Sequence, residues 1–145
     1  MEERDGRYDY VCILQPTCPL RSSEDIDGAL DLLTSTGADS VITVTDVGGR
    51  HPMTLYRKGE EGRISPYLSA DTAGVLRQNF EDLYWRTGGV YAMKRDVVVE
   101  RRSLYGEDVR GYEVPEERCF NIDSPFDWAL CEAYVEYLER KKAAA

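Results

Sequence analysis

Two side chains that could bind a metal ion stand two residues apart near the C-terminal end of the chain. In the stretch FNIDSPFDW, Asn121 and Asp123 lie at the end of a short run, RCFNI, that predicts a strand. Residues two apart on a strand point to the same side. An oxygen pair there suits Mg²⁺, which proteins bind through one or two carboxylates shared with substrate phosphates. The alternative is that Asp123 only caps or precedes the final helix, a common place for acidic residues.

A polar loop with two prolines, QPTCPLRS, follows the first apolar run of the chain. Pro16 and Pro19 stiffen this loop, Gln15 and Thr17 offer neutral donors and acceptors, and Arg21 offers a fork for a carboxylate or phosphate. In open α/β sheets, ligands bind beyond the carboxyl ends of the strands, so the loop is a candidate binding site. The alternative is a rigid turn in which Arg21 forms a salt bridge with the acidic helix that follows.

Other reactive patterns are weaker. The lone His51 would have to serve a Ser/His/Asp hydrolase, yet no nucleophile-elbow pattern accompanies it. Arg77 and Gln78 lie in a polar arm, where the alternative is a solvated loop. The sequence contains neither G-x-G-x-x-G nor G-x-x-x-x-G-K-[ST], so nothing in it looks like a complete triphosphate cradle.

The first half of the chain predicts a strand, a helix and a second strand. Tyr8–Leu14 is β-rich with closely spaced apolar residues, as expected for a strand covered on both faces. Ser22 or Ser23 can cap a helix that ends near Gly37. The apolar residues of this helix recur at helical spacing and are Ile26, Ala29, Leu30 and Leu33. Ser40–Thr45 predicts a second buried strand, so this half is typical of a βαβ crossover with a parallel pair.

The second half predicts a hairpin, a long strand and a final helix. The stretch MTLYRKGEEGRISPYL alternates around a charged turn at Lys58–Gly62, as expected for a projecting hairpin. Leu83–Met93 has strand composition, and its pair Gly88 and Gly89 indicates a close backbone approach. The final helix begins with Ser124 as its N-cap, followed at once by a proline.

Composition limits the classes of function. The 145 residues include 18 basic and 27 acidic side chains, and the net charge of −9 argues against a nucleic-acid or anionic-membrane surface. The four cysteines form no C-x-x-C pair, which predicts reduced cytosolic thiols. No apolar run reaches the roughly 20 residues of a membrane span. We therefore expect a soluble cytoplasmic protein.

Six motifs together carry a resemblance to a known family. In chain order they are LQPTCPLRSSEDIDGAL, GADSVITV, HP, RQ, TGGVYAMK and NIDSPFDWALCEA. Their order and spacing resemble the acylneuraminate cytidylyltransferases, the CMP-sialic acid synthetase family, over nearly the whole chain. The resemblance implies a Rossmann-like nucleotidyltransferase of class α/β, with three α/β/α layers and a mostly parallel sheet. It also implies a single domain over residues 1–145, with a dimerisation hairpin and arm at about 52–80.

The resemblance implies transfer of CMP from CTP to a sialic-acid-like (nonulosonic) sugar acid, with release of pyrophosphate and with Mg²⁺ as cofactor. Gln15 would hydrogen-bond the sugar acid, Arg21 would brace the loop or its anionic ligands, and Asp123 with Asn121 would form the metal site. A homodimer is implied, in which Arg77 reaches the partner subunit's site. The candidate substrate-binding residues are Gln15, Thr17, Arg21, Arg77, Gln78, Thr87 and Gly88.

The sequence departs from the family pattern at several places. Asn121 stands where the family has its first metal acid, Thr87 where it has an asparagine before the glycine, and Thr54 where a lysine often follows His-Pro. The family's N-terminal loop of glycine and lysine residues that binds CTP is missing, so the chain looks N-terminally truncated. Two alternatives stay open: a non-catalytic remnant kept for dimerisation or sugar binding, and another nucleotide-sugar pyrophosphorylase.

Overall fold

The computed structural model describes residues 7–68 and 80–144, which divide into two units. The first unit is formed by residues 1–45 and 86–145, and the second by residues 46–85. The predicted site residues Arg77 and Gln78 lie outside the described residues, as does part of the arm at 52–80. The boundaries expected for the domain and its arm therefore stay a prediction.

The described strands and helices largely follow the sequence pattern. The strands are β1 (Tyr10–Ile13), β2 (Ser40–Asp46), β3 (Tyr56–Lys58), β4 (Ile64–Pro66), β5 (Tyr84–Lys94) and β6 (Val109–Glu113). The α-helices are α1 (Ser23–Thr36), α2 (Arg95–Val99) and α3 (Pro125–Ala143). The strand predicted over RCFNI is wrong: a 3₁₀ turn at Glu116–Arg118 leads into an irregular stretch there. Strand β6, which precedes it, was not predicted.

The main sheet has the order β1-β5-β2-β6 and is mixed, which corrects the expected mostly parallel sheet. β1 pairs antiparallel with β5, from Tyr10 opposite Lys94 to Ile13 opposite Tyr91, whereas β2 pairs parallel with β6. β5 therefore lies between β1 and β2, so the two strands of the predicted βαβ unit do not pair with each other. β1 lies at the end of the strand order and Tyr10 is 43% exposed, so the prediction that both faces are covered is also wrong.

Side chains on successive positions of β5 supply two different apolar cores. Val90 and Ala92 pack with Ala29 and Leu33 of α1, on one face of the sheet. Their neighbours Tyr91 and Met93 pack instead with Val97 of α2. Because successive residues of a strand point to opposite faces, β5 links both cores, and this explains its long buried run.

Helix α1 has defined signals at both ends. The Ser22 hydroxyl accepts a hydrogen bond from the Asp25 N–H, and the Asp25 carboxylate accepts one from the Ser22 N–H, which forms a capping box. Gly37 closes the helix with a φ of 67° and donates its N–H to the Leu33 carbonyl. Of the two caps that the sequence allowed, the structure has Ser22.

The second unit contains the predicted hairpin. β3 and β4 pair antiparallel, with Tyr56 opposite Pro66 and Lys58 opposite Ile64, around the turn at Glu60–Gly62. In the same unit the buried His51 ring stacks on Phe80, with ring centroids 4.7 Å apart. Both of its ring nitrogens meet backbone groups, the Met53 N–H and the Glu81 carbonyl. His51 is therefore held as a structural residue, which disfavours the hydrolase interpretation.

The 19-residue helix α3 is the longest described, and Cys131 is its buried residue. Its N-cap is Ser124, as predicted, and the Ser124 hydroxyl accepts a hydrogen bond from the Asp127 N–H. In the described part of the chain, α3 and the other helices are all too short or too polar to span a membrane.

Candidate functional site

The polar loop after β1 is fixed to the sheet by Arg21. One guanidinium nitrogen of Arg21 donates to the Gln15 carbonyl at 3.0 Å and to the Gly89 carbonyl of β5 at 2.9 Å. Within the loop, the Cys18 N–H donates to the same Gln15 carbonyl at 3.2 Å. Arg21 therefore braces the loop against β5, and its contact with an anionic ligand stays a prediction. The alternative salt bridge to α1 is not the contact observed, because these partners are backbone carbonyls.

The loop lies directly against Gly88 of β5. Gly88 has a φ of 79°, and a Cβ built on it would lie 2.4 Å from Gln15 Oε1 and 3.4 Å from Cys18 Sγ. The Gln15 side chain therefore packs against the space that only glycine leaves open. This is the close backbone approach that the Gly88-Gly89 pair predicted.

Thr87 is turned into the sheet. Its hydroxyl contacts the Thr43 hydroxyl at 2.8 Å and the Thr43 carbonyl at 3.2 Å, and the residue is 3% exposed. The Thr87 carbonyl accepts a hydrogen bond from the Cys18 thiol at 3.4 Å. The predicted substrate contact of Thr87 stays a prediction, but the hydroxyl already has partners inside the protein.

Asn121 and Asp123 meet each other and the same loop. The Asn121 amide nitrogen donates to the Asp123 carboxylate at 2.6 Å, and the Ile122 N–H donates to the Thr17 carbonyl at 2.9 Å. The Cys18 thiol lies 3.6 Å from Asn121 Oδ1. The loop after β1 and the segment before α3 thus form one site within the first unit, although they are more than 100 positions apart.

The capping alternative for Asp123 finds little support in the geometry. Ser124 caps α3, and the Asp127 carboxylate accepts hydrogen bonds from the Ser124 hydroxyl and the Asp123 N–H. The Asp123 carboxylate itself is exposed and is held by Asn121. Because its side chain is not used for capping, it is available to a ligand from solvent.

A buried ion pair anchors the segment that carries Asn121. Arg118 donates to both oxygens of Asp25, at 2.6 and 3.0 Å, and the Asp25 side chain is 3% exposed. Burial raises the pKa of Asp25, but the hydrogen bonds from Arg118 and the Ser22 N–H outweigh it, so the pKa lies below its ordinary value. The carboxylate stays ionised and joins the N-terminus of α1 to the Glu116–Arg118 turn.

Cys18 is the site residue that sequence reasoning passed over. It is 2% exposed and contacts both Thr87 of β5 and Asn121. Burial raises the pKa of its thiol, against smaller opposing effects of Thr17 and Arg21, so the sulfur keeps its proton at neutral pH. Its place between two prolines in a polar loop was the available signal.

The donors in this site fit Mg²⁺ only together with a substrate. In the described ranges, no group of three or more His, Cys, Asp or Glu side chains could enclose a metal ion. Asp123 offers one exposed carboxylate, and Mg²⁺ is commonly bound by one or two carboxylates together with substrate phosphates. The site could therefore hold one side of a cation whose other side is bound by a nucleotide.

Comparison with known proteins gives a consistent set of relatives. The chain is 27% identical over 136 residues to the CMP-N,N'-diacetyllegionaminic acid synthase of Legionella pneumophila. The aligned region covers 93% of this chain and 57% of that protein. It is 25% identical over 144 residues to an N-acylneuraminate cytidylyltransferase of Streptococcus agalactiae, and this alignment covers 98% of this chain and 34% of that protein. It is 26% identical over 136 residues to the post-translational flagellin modification protein B of Campylobacter coli, with 94% and 55% covered.

No protein-family model matches the chain. The similarity to CMP-sialic acid-type cytidylyltransferases nevertheless extends over most of its length, as the motifs predicted. The chain spans between about a third and somewhat over half of the length of these relatives.

Proposed function

We propose that this chain forms the sugar-acid and metal side of a cytidylyltransferase that transfers CMP from CTP to a nonulosonic sugar acid. The observation that supports this most directly is a contact within the first unit. The polar loop after β1, here called the Gln15 loop, meets the segment that carries Asn121 and Asp123. The names of similar proteins, which include a CMP-N,N'-diacetyllegionaminic acid synthase and an N-acylneuraminate cytidylyltransferase, point to the same reaction class.

In the proposed reaction, the anomeric hydroxyl oxygen of the sugar acid forms a bond to the α-phosphorus of CTP. The bond from that phosphorus to the bridging oxygen breaks, pyrophosphate leaves, and the hydroxyl proton is released. Mg²⁺, when bound, would offset the charge that develops on the phosphates.

The residues of this chain bind and orient the reactants. Gln15 would hydrogen-bond the sugar acid through its side-chain amide, which packs over Gly88 in the loop after β1. Thr17 lies beside it in the same loop. Arg21 keeps the loop in place, and this reduces the entropy lost when the sugar is oriented for attack. Asp123 offers a carboxylate oxygen to the cation, with Asn121 beside it.

Sugar-acid binding tests this function directly. Saturation-transfer NMR with N-acetylneuraminic acid and with N,N'-diacetyllegionaminic acid should show binding of at least one of them to the 145-residue chain. Gln15→Leu keeps a side chain of similar volume but removes the amide, so we expect the affinity for the sugar acid to fall by about tenfold or more, which one lost hydrogen bond to a charged group can account for. Ser35→Ala, at an exposed position of α1, serves as the control. Binding that Gln15→Leu leaves unchanged would contradict the proposed site.

A second readout separates this function from a non-catalytic sugar-binding role. The sequence shows no complete triphosphate-binding motif, and this observation favours the second candidate. Pyrophosphate release from CTP and the bound sugar acid is therefore measured in Mg²⁺ and in EDTA. Release that EDTA abolishes supports the transferase, whereas sugar binding without release shows that this chain by itself binds the sugar acid without transferring CMP.

We also propose that the chain forms a homodimer through the hairpin. In and around the hairpin of the second unit, exposed apolar side chains are Leu55, Tyr56, Ile64, Tyr67 and Leu68, with Ile64 66% exposed. Several exposed apolar side chains in one short segment are typical of an interface between subunits. Light scattering at micromolar concentration should give twice the chain mass, and Ile64→Lys should give the monomer mass. A monomer mass for the unmodified chain would contradict this prediction.

A further inference from the structure

We propose that Asn121 serves the metal side of the site as a positioning residue for Asp123, and that Cys18 holds the Asn121 amide in the required orientation. The proposal rests on the proposed function, because it concerns how the Asp123 carboxylate is presented to a cation. It gives a role to the buried thiol of Cys18, and it explains how an asparagine can serve at a position where a direct ligand was expected.

The short contact with Asp123 fixes the orientation of the Asn121 amide. Only the NH₂ group of the amide can face a carboxylate oxygen at 2.6 Å, because the amide oxygen there would bring two acceptors together. The Asn121 oxygen must then point the other way, where it meets the Cys18 sulfur at 3.6 Å. The two contacts agree with each other: a carboxylate requires the donor end, and a thiol S–H suits the acceptor end.

Cys18 connects this amide to the fixed part of the fold. It is 2% exposed, and its sulfur also contacts the Thr87 carbonyl of β5 at 3.4 Å. The loop that carries it is clamped to β5 by Arg21 and linked to Ile122 through the Thr17 carbonyl. The thiol proton therefore has two acceptors within reach, and the sulfur position is set by the sheet. The orientation of Asn121 is in this way transmitted from β5.

This arrangement leaves the Asp123 carboxylate with one oxygen bound to Asn121 and the other available to a cation. The Asn121 NH₂ group binds Asp123 Oδ2, which leaves Asp123 Oδ1 to face a ligand. The Asn121 oxygen is turned toward Cys18, so it does not present itself to the same cation. Asn121 thus acts through Asp123, in the way that groups behind a metal ligand orient that ligand.

The test follows the Asn121 side-chain NH₂ signals by NMR in the full 145-residue chain. In the wild type, we expect one amide proton to be shifted downfield and to exchange slowly, because it is bonded to the carboxylate. Cys18→Ala, which removes the S–H donor, should speed this exchange by about threefold or more, while Cys18→Ser, which keeps a donor, should restore the wild-type behaviour. Amide signals that Cys18→Ala leaves unchanged would overturn the proposal.

Asp123→Ala provides a second variant that removes an exposed side chain and leaves the core intact. It should abolish the downfield shift of the amide proton. The proposal therefore remains decidable if Cys18→Ala fails to fold, and an amide proton that keeps its shift in Asp123→Ala would overturn it.

Binding of Mn²⁺ in the presence of CTP, measured by electron paramagnetic resonance against CTP without protein, tests the positioning role, because the site is expected to hold a cation together with a substrate. We expect Cys18→Ala and Asn121→Leu each to weaken Mn²⁺ binding by about tenfold, as for other changes behind a metal ligand, and Cys18→Ser to bind as the wild type does. Mn²⁺ affinity unchanged in Cys18→Ala but lost in Asn121→Leu would make Asn121 a direct ligand and overturn the proposal. If the wild type shows the expected amide signals but binds no Mn²⁺ in the presence of CTP, the metal side of the proposed function fails instead, and the positioning role fails with it.

Discussion

Arg118→Met should lower the free energy of unfolding by about 3 kcal/mol at neutral pH, the low end of what breaking a buried ion pair by removing one partner costs. The substitution keeps an unbranched stem but removes the guanidinium group, so it leaves the Asp25 carboxylate, 3% exposed, without its two charged hydrogen bonds. We expect a loss at the low end of that range because the Arg118 side chain is itself 37% exposed, so water can partly take its place beside the Asp25 carboxylate. Urea unfolding followed by circular dichroism measures the change.

A matched control is Arg110→Met. Arg110 also binds an aspartate, Asp108, through more than one hydrogen bond, but both side chains are more than 40% exposed. Exposed pairs contribute about 1 kcal/mol or less, so this variant should unfold almost as the wild type does. Equal losses for the two variants would show that burial of Asp25 does not determine the effect.

The pH dependence provides a further check on the same ion pair. The folded state holds the pKa of Asp25 below its ordinary value of 3.8, despite the opposing effect of burial. Its ionised form therefore stabilises the fold above that value, and this contribution is lost as the pH falls through the folded pKa. In Arg118→Met, protonation of Asp25 removes an uncompensated buried charge. The difference in unfolding free energy between wild type and variant should therefore narrow in acid.

Gly88→Ala should weaken binding of the sugar acid by about tenfold or more while the protein stays folded. The new Cβ would lie 2.4 Å from Gln15 Oε1, so the Gln15 side chain has to leave its position. Loss of one hydrogen bond to a charged ligand accounts for a change of this size. The backbone at φ 79° adds a stability cost of about 1 kcal/mol. Saturation-transfer NMR and urea unfolding measure the two effects separately.

Gly62→Ala is a close control for the backbone effect. Gly62 has the same φ of 79°, but a Cβ there would meet nothing within 4 Å. It should therefore show a similar loss of stability with no change in sugar affinity. If Gly88→Ala binds the sugar acid as Gly62→Ala does, the Gln15 side chain is not part of the binding site.

Local signals in the sequence predicted most of the elements. The capping serine and closing glycine of α1, the start of α3 at Ser124 and the hairpin turn at Lys58–Gly62 all have short-range physical causes. The sequence also predicted ligand-binding roles for the loop after β1 and for Asn121 with Asp123, but it did not predict that the two segments contact each other.

The neighbours of each strand could not be predicted in the same way. An apolar run reports that a strand is buried but not which strand lies beside it, so β5 between β1 and β2 was missed. The strand predicted over RCFNI was wrong for a related reason. Ile122 donates its backbone N–H to the Thr17 carbonyl of the loop after β1, in place of the strand pairing that was expected. The Asp25–Arg118 pair joins residues 93 positions apart, and no local pattern marks such a contact.

The Arg21 clamp has a consequence for how this site can evolve. Arg21 binds the carbonyl oxygens of Gln15 and Gly89, groups that every amino acid has in its main chain. The main chain of Gln15 thus holds the loop, while its side chain remains available to contact a substrate. Mutation at position 15 can therefore change the side chain that the loop presents without removing the bond that holds the loop, because that bond is made by the Gln15 main chain.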